Sequence, residues 1–216
     1  MAKPSKDSFL RTLVCSNDWE TKARENGYAL ISGTDSVGDG SLWGPVTAAS
    51  CILRWPDPGV KGLRDSKLVS AAKRIRLADE IRQCAVSWAV SSVSAEVIDK
   101  IGIRKASEMA MYESIHALDV TPDFLLVDGV PIDISIPQAS INHGDALSFS
   151  IAAASIVAKV ERNALVTEMS AAYPGYALDR HFGYGPEAHM KVLETLGPTP
   201  LHRFSFAPIK RLCRVA

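Results

Sequence analysis

The chain has 216 residues and a formal net charge of zero, with 47% hydrophobic and 22% charged residues. This composition predicts a soluble globular protein with one sizeable core, and any polyanion would need a local basic patch. No apolar run reaches the roughly 18 residues of a membrane span, and the N-terminus lacks a signal-peptide pattern. The four cysteines form no CxxC pair, which argues against a zinc site. We therefore expect a cytoplasmic protein with no membrane association.

The predicted elements alternate between strands and helices, which indicates a single α/β domain over residues 1–216. Residues 1–25 are predicted to form an N-terminal extension, partly helical, that packs on this domain. The predicted strands cover residues 28–34, 46–53, 85–93 and 124–127, with short extended pieces at 132–136 and 139–142. The predicted helices cover 71–83 with Ser70 as N-cap, 95–118 with a break at Gly102, 148–171 and 186–196. Small residues in the first half of helix 148–171 predict close approach of another backbone.

Two of these strands end in an acidic residue followed by glycine. Asp35 leads into a loop with glycines at 38, 40 and 44, and Asp128 is followed directly by Gly129. One such strand alone is more simply an ordinary glycine turn with a solvated acid. Two of them side by side would place two carboxylates at one end of a sheet, which is a more specific signal.

Several blocks of sequence together resemble the ribonuclease HII family, from about residue 28 to residue 210. The matching blocks include GTDSVGDGSLWGPV, GLRDSKLVS, LLVDG, INHGDALSFSIAAASIVAKVERN, YPGYALDRHFGYG and HRFSFAP. The resemblance implies an RNase H-like α/β fold, with a mixed five-stranded sheet flanked by helices and a helical C-terminal part. It also implies Mg²⁺- or Mn²⁺-dependent endonucleolytic cleavage of RNA in RNA/DNA hybrids, or at a ribonucleotide embedded in duplex DNA.

The resemblance also implies which residues carry the chemistry. Family members supply an Asp-Glu pair, a later Asp, and an Asp on the long helix; the corresponding residues here are Asp35, Ser36, Asp128 and Asn163. Asp35 and Asp128 are therefore the predicted metal ligands, and two of the four family carboxylates are replaced. Because Mg²⁺ dehydrates reluctantly and favours charged oxygen ligands, we expect weakened metal binding.

The predicted substrate contacts surround the glycine loop. The resemblance implies that Gly38, Asp39 and Gly40 face the 2′-hydroxyl, although the family has arginine where this chain has Asp39. An acid there should repel phosphate, and its use as a substitute metal ligand is left open. Lys159 and Arg162 are predicted phosphate contacts and Tyr184 a predicted stacking residue; surface charge and plain packing are the alternatives.

These substitutions leave two functional hypotheses. In the first, the chain is a ribonuclease HII-family endoribonuclease whose activity is weak or absent, acting as a monomer on hybrid or ribonucleotide-containing duplex. In the second, it is a catalytically silent relative that binds hybrid duplex or a protein. A silent binder of nucleic acid requires a continuous basic surface, for which the candidates are Lys159, Arg162, Arg180, His202, Arg203 and Lys210. A third possibility is that the chain is an active enzyme that was altered deliberately, since exchanging Asp for Asn at position 163 would remove a metal ligand while keeping the shape of the side chain.

Overall fold

The computed structural model describes residues 12–215 of the chain. Its centre is a five-stranded sheet made of β1 (Ile31–Val37), β2 (Val46–Ile52), β3 (Ser87–Val93), β4 (Phe124–Asp128) and β5 (Gln138–Ile141). The strand order is β3-β2-β1-β4-β5. β1 pairs antiparallel with β2 and β2 with β3, whereas β4 pairs parallel with both β1 and β5. The sheet is therefore mixed, as the resemblance implies.

Helices flank both faces of this sheet. They are α1 (Asp18–Glu25), α2 (Ala71–Cys84), α3 (Ala95–Ile101), α4 (Ile103–His116), α5 (Phe149–Ser170), α6 (Leu178–His181), α7 (Glu187–Leu196) and α8 (Ala207–Val215). The long helix α5 packs on β1 and β2 with α2 beside it, and α4 packs on β2 and β3. Among the described residues, no helix is both long and apolar enough to cross a membrane.

Strand β2 shows how the sequence produces this layered arrangement. All seven of its residues are buried, which is typical of a strand covered on both faces. Val46 and Ala48 join the cluster that contains α4, whereas Ala49 and Cys51 join the cluster that contains α2 and α5. Because successive side chains of a strand point to opposite faces, this alternation places one core on each side of the sheet.

The position of α5 across β1 depends on a missing side chain. A Cβ atom on Gly33 would overlap the backbone of Ser150 and Ile151, so only glycine allows this contact. The backbones of α5 and β1 therefore approach closely, and the residue that permits this contact is Gly33 of β1, which the sequence prediction did not name. Helix α1 fixes the start of α5, because the buried Glu20 carboxylate accepts hydrogen bonds from Ser148 Oγ at 2.7 Å and the Ser150 amide at 2.8 Å.

The predicted elements differ from the structure in a few places. Strand β1 extends past Asp35 to Val37, and residues 132–136 contain no strand. Ser70 occupies the N-cap position of α2 but makes no side-chain capping bond, whereas the break at Gly102 is confirmed. The short helix α6 is absent from the sequence prediction, and α8 was expected only through the helical C-terminal part that the resemblance implies. The first 11 residues of the predicted N-terminal extension lie outside the described residues.

Candidate active site

Two acidic residues lie side by side where β1 and β4 run parallel. The register pairs Thr34 with Val127, so the next residues along the two strands are Asp35 and Asp128. Asp35 is buried, and Asp128 accepts a hydrogen bond from the Gly144 amide at 2.7 Å. The structure therefore brings together the two carboxylates that the sequence places after apolar strands.

A third carboxylate comes from a segment that the sequence analysis did not single out. Asp145 lies in a short 3-10 turn, Gly144–Ala146, that follows β5, and its side chain is buried. Its Oδ2 atom accepts a hydrogen bond from Lys67 Nζ at 2.8 Å, and Lys67 Nζ also lies 3.5 Å from Asp65 Oδ1. The available signal was a third acid next to a glycine, in the block INHGDAL.

The three carboxylates disturb one another electrostatically. Burial raises the pKa of the Asp35 carboxyl well above its usual value, and the charges of Asp128 and Asp145 raise it further. Burial and then Asp145 raise the pKa of Asp128, and burial also raises that of Asp145. Only a hydrogen bond from Ser155 and the charge of Lys67 oppose these effects at Asp35. The cluster therefore carries more buried negative charge than its surroundings neutralise.

Asn163, the predicted fourth ligand, is not part of this cluster. Ser155 is the α5 residue that hydrogen-bonds Asp35, and Asn163 lies eight residues further along the same helix. At 1.5 Å per residue this separation is about 12 Å along the helix axis. The Oδ1 atom of Asn163 is buried and has no hydrogen-bond partner among the described residues. The structure thus brings Asp145, and not Asn163, to Asp35 and Asp128.

Asp35 and Asp128 line a cleft of about 530 Å³, called here the acid cleft, and Asp145 lies outside its lining. Its lining residues are Asp35, Ser36, Val37, Gly38, Asp39, Gly40, Ser66, Lys67, Asp128, Lys159 and Tyr184. Ser36, at the family's glutamate position, is half-buried and contributes a hydroxyl where a carboxylate would stand. Most of the predicted site residues therefore line one cavity, although they come from four separate parts of the chain.

The glycine loop between β1 and β2 forms one wall of the acid cleft. Gly38 has φ of +94°, and a Cβ atom there would collide with the Arg162 guanidinium, so the position requires glycine on both counts. Asp39 is exposed, and its carboxylate accepts a hydrogen bond from the hydroxyl of Ser107 on α4. The negative charge in the loop is therefore held toward α4 at the rim of the cleft.

Arg162 lies behind this loop and not in the cleft, which corrects its prediction as a phosphate contact. Its side chain is fully buried and donates hydrogen bonds to the carbonyls of Pro45 at 2.9 Å and of Trp43 and Phe182 at 3.2 Å. A guanidinium whose donors are directed at buried carbonyls is not available to a phosphate. The sequence alone did not distinguish this arrangement from an exposed helix charge.

Arg203 is buried beside it and holds the same loop. Its Nε atom donates to the Gly44 carbonyl and its Nη1 atom to the Asp39 carbonyl, both at 3.0 Å. Burial, followed by the nearby charge of Arg162, lowers the pKa of Arg203 to about 10. We call Arg162 and Arg203 the arginine clamp, because together they fix the loop through its main chain.

Lys159 and Tyr184 face the acid cleft from the opposite side. The Lys159 ammonium lies 3.3 Å from the Tyr184 hydroxyl and 4.8 Å from the centre of its ring. Burial lowers the pKa of Lys159, and Tyr184 partly opposes this shift. These two side chains are the predicted substrate contacts whose positions agree with that role.

The continuous basic surface considered in the sequence analysis is interrupted. Of its six candidates, three are fully buried: Arg162, His202 and Arg203. His202 accepts a hydrogen bond from the Thr199 amide at Nδ1, and its Nε2 lies 3.2 Å from Nε2 of His189. Burial and the neighbouring His189 lower the pKa of His202 to about 4, so this pair is neutral at pH 7.

Comparison with known proteins agrees with this geometry. The family model for ribonuclease HII matches residues 32–209. A ribonuclease HII from Koribacter versatilis is 45% identical over 208 residues, which cover 96% of this chain and 82% of that protein. The ribonuclease H2 structure from Pyrococcus horikoshii OT3 superposes with a TM-score of 0.73 at 17% identity, covering 87% of this chain and 98% of that one.

A more distant structure provides a metal-bound relative of the fold. Bst-RNase HIII in complex with Mn²⁺ superposes with a TM-score of 0.64 at 19% identity, covering 90% of this chain and 72% of that one. The family-model match spans most of the chain, and the Koribacter relative matches it almost from end to end. This chain therefore belongs to the ribonuclease HII family, whose function is the cleavage of RNA in RNA/DNA hybrids.

Proposed function

We propose that this chain is a divalent-metal-dependent endonuclease that cuts RNA in RNA/DNA hybrids or at a ribonucleotide embedded in duplex DNA. We further propose that its activity is weak, because Ser36 supplies no carboxylate. The observation that carries the proposal is the convergence of Asp35, Asp128 and Asp145 beside the glycine loop. Family membership supports the substrate class, and we take the chain to act as one domain and as a monomer.

The donor set of the acid cleft fits a hard divalent cation. Carboxylate oxygens are the ligands that Mg²⁺ and Mn²⁺ prefer, and mutual repulsion among the three acids would be relieved by a cation. Among the described residues, no three His, Cys, Asp or Glu side chains are placed to hold an ion by themselves. Water and substrate phosphate would therefore supply the remaining ligands of the cation beside these carboxylates.

The side chains have separable roles in this proposal. Asp35 and Asp128 would hold the cation, with Asp145 as the third carboxylate. When bound, the cation would stabilise the negative charge that develops on the attacking and leaving oxygens of phosphodiester hydrolysis. Lys159 would orient a phosphate and Tyr184 a sugar or base at the cleft wall. The backbone amides of the glycine loop would face the 2′-hydroxyl.

A second candidate function is a catalytically silent relative. Two observations favour it: Ser36 removes one charged ligand, and Asp39 presents an exposed acid at the rim of the cleft. Because the predicted basic surface is interrupted by burial of three of its members, this candidate fits a protein partner better than a polyanion.

The test is cleavage of a duplex that contains one embedded ribonucleotide, measured in Mg²⁺ and separately in Mn²⁺. The unaltered chain, Asp35→Asn, Ser36→Glu and Asn163→Asp would be compared. We expect weak cutting that Asp35→Asn abolishes and that Ser36→Glu raises about tenfold or more, since tenfold corresponds to only about 1.4 kcal/mol of barrier. Asn163→Asp is the matched control and should not raise the rate.

Each outcome decides between the candidates. If Asn163→Asp restores cutting and Ser36→Glu does not, the ligand set proposed here is wrong. If neither the unaltered chain nor Ser36→Glu cuts in either metal, the silent relative is the better description.

A further inference from the structure

One lysine connects the acidic residues of the cleft. Lys67 Nζ lies 2.8 Å from Asp145 Oδ2 and 3.5 Å from Asp65 Oδ1, and its charge also acts on Asp35 and Asp128. Lys159, the other lysine that lines the cleft, is bonded to the hydroxyl of Tyr184. Lys67 therefore places its ammonium where the negative charge of the site is most concentrated.

The main chain at Lys67 is held by several hydrogen bonds, whereas its side chain is mostly exposed and is held only through its ammonium group. Asp65 caps the short turn Ser66–Leu68 by accepting the Lys67 amide at 2.8 Å, and the buried Ser66 hydroxyl lies 3.0 Å from that of Ser155. The Lys67 side chain, in contrast, is 69% exposed, whereas that of Asp145 is 5% exposed. A long flexible stem on a rigid base can leave Asp145 without disturbing the turn.

We propose that Lys67 is a tethered counter-ion that occupies the carboxylate cluster in the metal-free protein and competes with an incoming divalent cation. This inference rests on the proposed function, because it assumes that the cation enters at Asp35, Asp128 and Asp145. The ammonium and the cation require the same negative charge, and they repel each other at the short distances of this cleft. Metal binding accordingly requires Lys67 to release Asp145 and turn outward.

The positive charge of Lys67 has opposite effects in the metal-free and the metal-bound protein. Without a cation, Lys67 supplies the nearest positive charge to Asp145 and stabilises the fold. With a cation bound, the same charge weakens the binding of the metal. Removing the charge of Lys67 should therefore lower the stability of the metal-free protein and tighten metal binding. A lysine that only positions Asp145 for the metal would produce the reverse change in affinity.

The experiment measures Mn²⁺ binding to the full chain from the electron paramagnetic resonance signal of free Mn²⁺, without nucleic acid. Lys67→Gln is compared with the unaltered chain and with Lys159→Gln, which removes an equal charge from the same cleft but touches no carboxylate. We expect Lys67→Gln to tighten Mn²⁺ binding about fivefold to tenfold, and Lys159→Gln to change it less than about twofold. Lys67→Arg, which keeps the charge, should stay close to the unaltered chain.

Thermal unfolding with and without Mn²⁺ provides a second readout. Lys67→Gln should melt lower than the unaltered chain without metal and gain more from Mn²⁺. Unchanged or weaker Mn²⁺ binding by Lys67→Gln overturns the counter-ion role and leaves the metal site in place. If no variant binds Mn²⁺, and Asp35→Asn behaves like the others, both this inference and the metal-dependent function are overturned.

Discussion

Buried charged side chains lie on both sides of the loop between β1 and β2. They are negative on one side and positive on the other, and their polar atoms find different partners. On the side of the acid cleft, Asp35, Asp128 and the neighbouring Asp145 repel one another, and the exposed Lys67 lies beside them. In the arginine clamp, Arg162 and Arg203 donate to the carbonyls of Trp43, Gly44, Pro45, Phe182 and Asp39.

The difference shows which buried charge can accept a ligand. Hydrogen bonds to main-chain carbonyls use most donors of the clamp, and the Nη2 atom of Arg203 that makes none is buried, out of reach of an anion in solvent. The carboxylates keep free lone pairs and an unrelieved repulsion, so a cation gains from entering. Whether a buried charged side chain can bind a ligand therefore depends less on the sign of its charge than on the contacts that its polar atoms already make.

The largest expected effect comes from breaking the clamp. Arg162→Ala should lower the free energy of unfolding by about 3 kcal/mol or more, because it removes hydrogen bonds to three carbonyls, leaves the Pro45 carbonyl without its donor and opens a void. Urea unfolding would measure it, with Arg180→Ala on the exposed surface as the control, expected within about 0.5 kcal/mol. A cost for Arg162→Ala as small as that of the control would show that the clamp does not hold the loop.

Acidification should act in opposite directions on the acid cleft and on His202, the residue that precedes Arg203 of the clamp. The lowered pKa of His202, about 4, means that stability is complete above pH 6.5 and is lost as the pH falls toward 4. One pKa unit corresponds to about 1.4 kcal/mol, so the shift from 6.5 to about 4 predicts a loss of about 3 kcal/mol. In the cleft, the raised pKa of Asp35 makes its ionised form costly at pH 7, so acid relieves that cost.

Variants separate these two contributions. Urea unfolding between pH 7 and pH 4 should show a smaller acid loss for His202→Gln and a larger one for Asp35→Asn than for the unaltered chain. Parallel curves for all three proteins would contradict the assignment of the two effects to these regions.

The smallest expected effect concerns the cleft alone at pH 7. Asp35→Asn removes one of the repelling charges without changing the shape of the side chain, and should raise the stability of the metal-free protein by about 1 kcal/mol. Asp39→Asn is the matched control, because Asp39 is exposed and outside the cluster, and it should change stability by less than about 0.5 kcal/mol. A loss of stability in Asp35→Asn would mean that the carboxylates are already compensated.

Strand-then-acid patterns and helix periodicity predicted the sheet, the flanking helices and the pairing of Asp35 with Asp128. Asp145 was missed because it follows a short strand and a turn, where no apolar periodicity marks the end of an element. Asn163 was placed in the site by resemblance, and the sequence does not reveal that it lies about two helical turns beyond Ser155.

Arg162 and Arg203 show a second limit of sequence reasoning. A basic residue on a helix or in a tail is usually solvated, and only tertiary packing shows that these two are enclosed by carbonyls. The residues of the C-terminal helix α8 did not predict it by themselves, because the segment resembles a basic tail; only the family resemblance implied a helical C-terminal part. Packing of Ile209 in the core makes α8 an element of the fold.

The arginine clamp has a consequence for how this loop diverges among relatives. Since both arginines grip main-chain oxygens, the shape of the loop does not depend on which side chains it displays at its tip. The side chain at position 39 can therefore change its charge while the main chain of the loop stays in place, because Arg203 holds the carbonyl of that residue and not its side chain. Selection, or an engineer, can alter what this wall of the cleft recognises one residue at a time without rebuilding the scaffold beneath it.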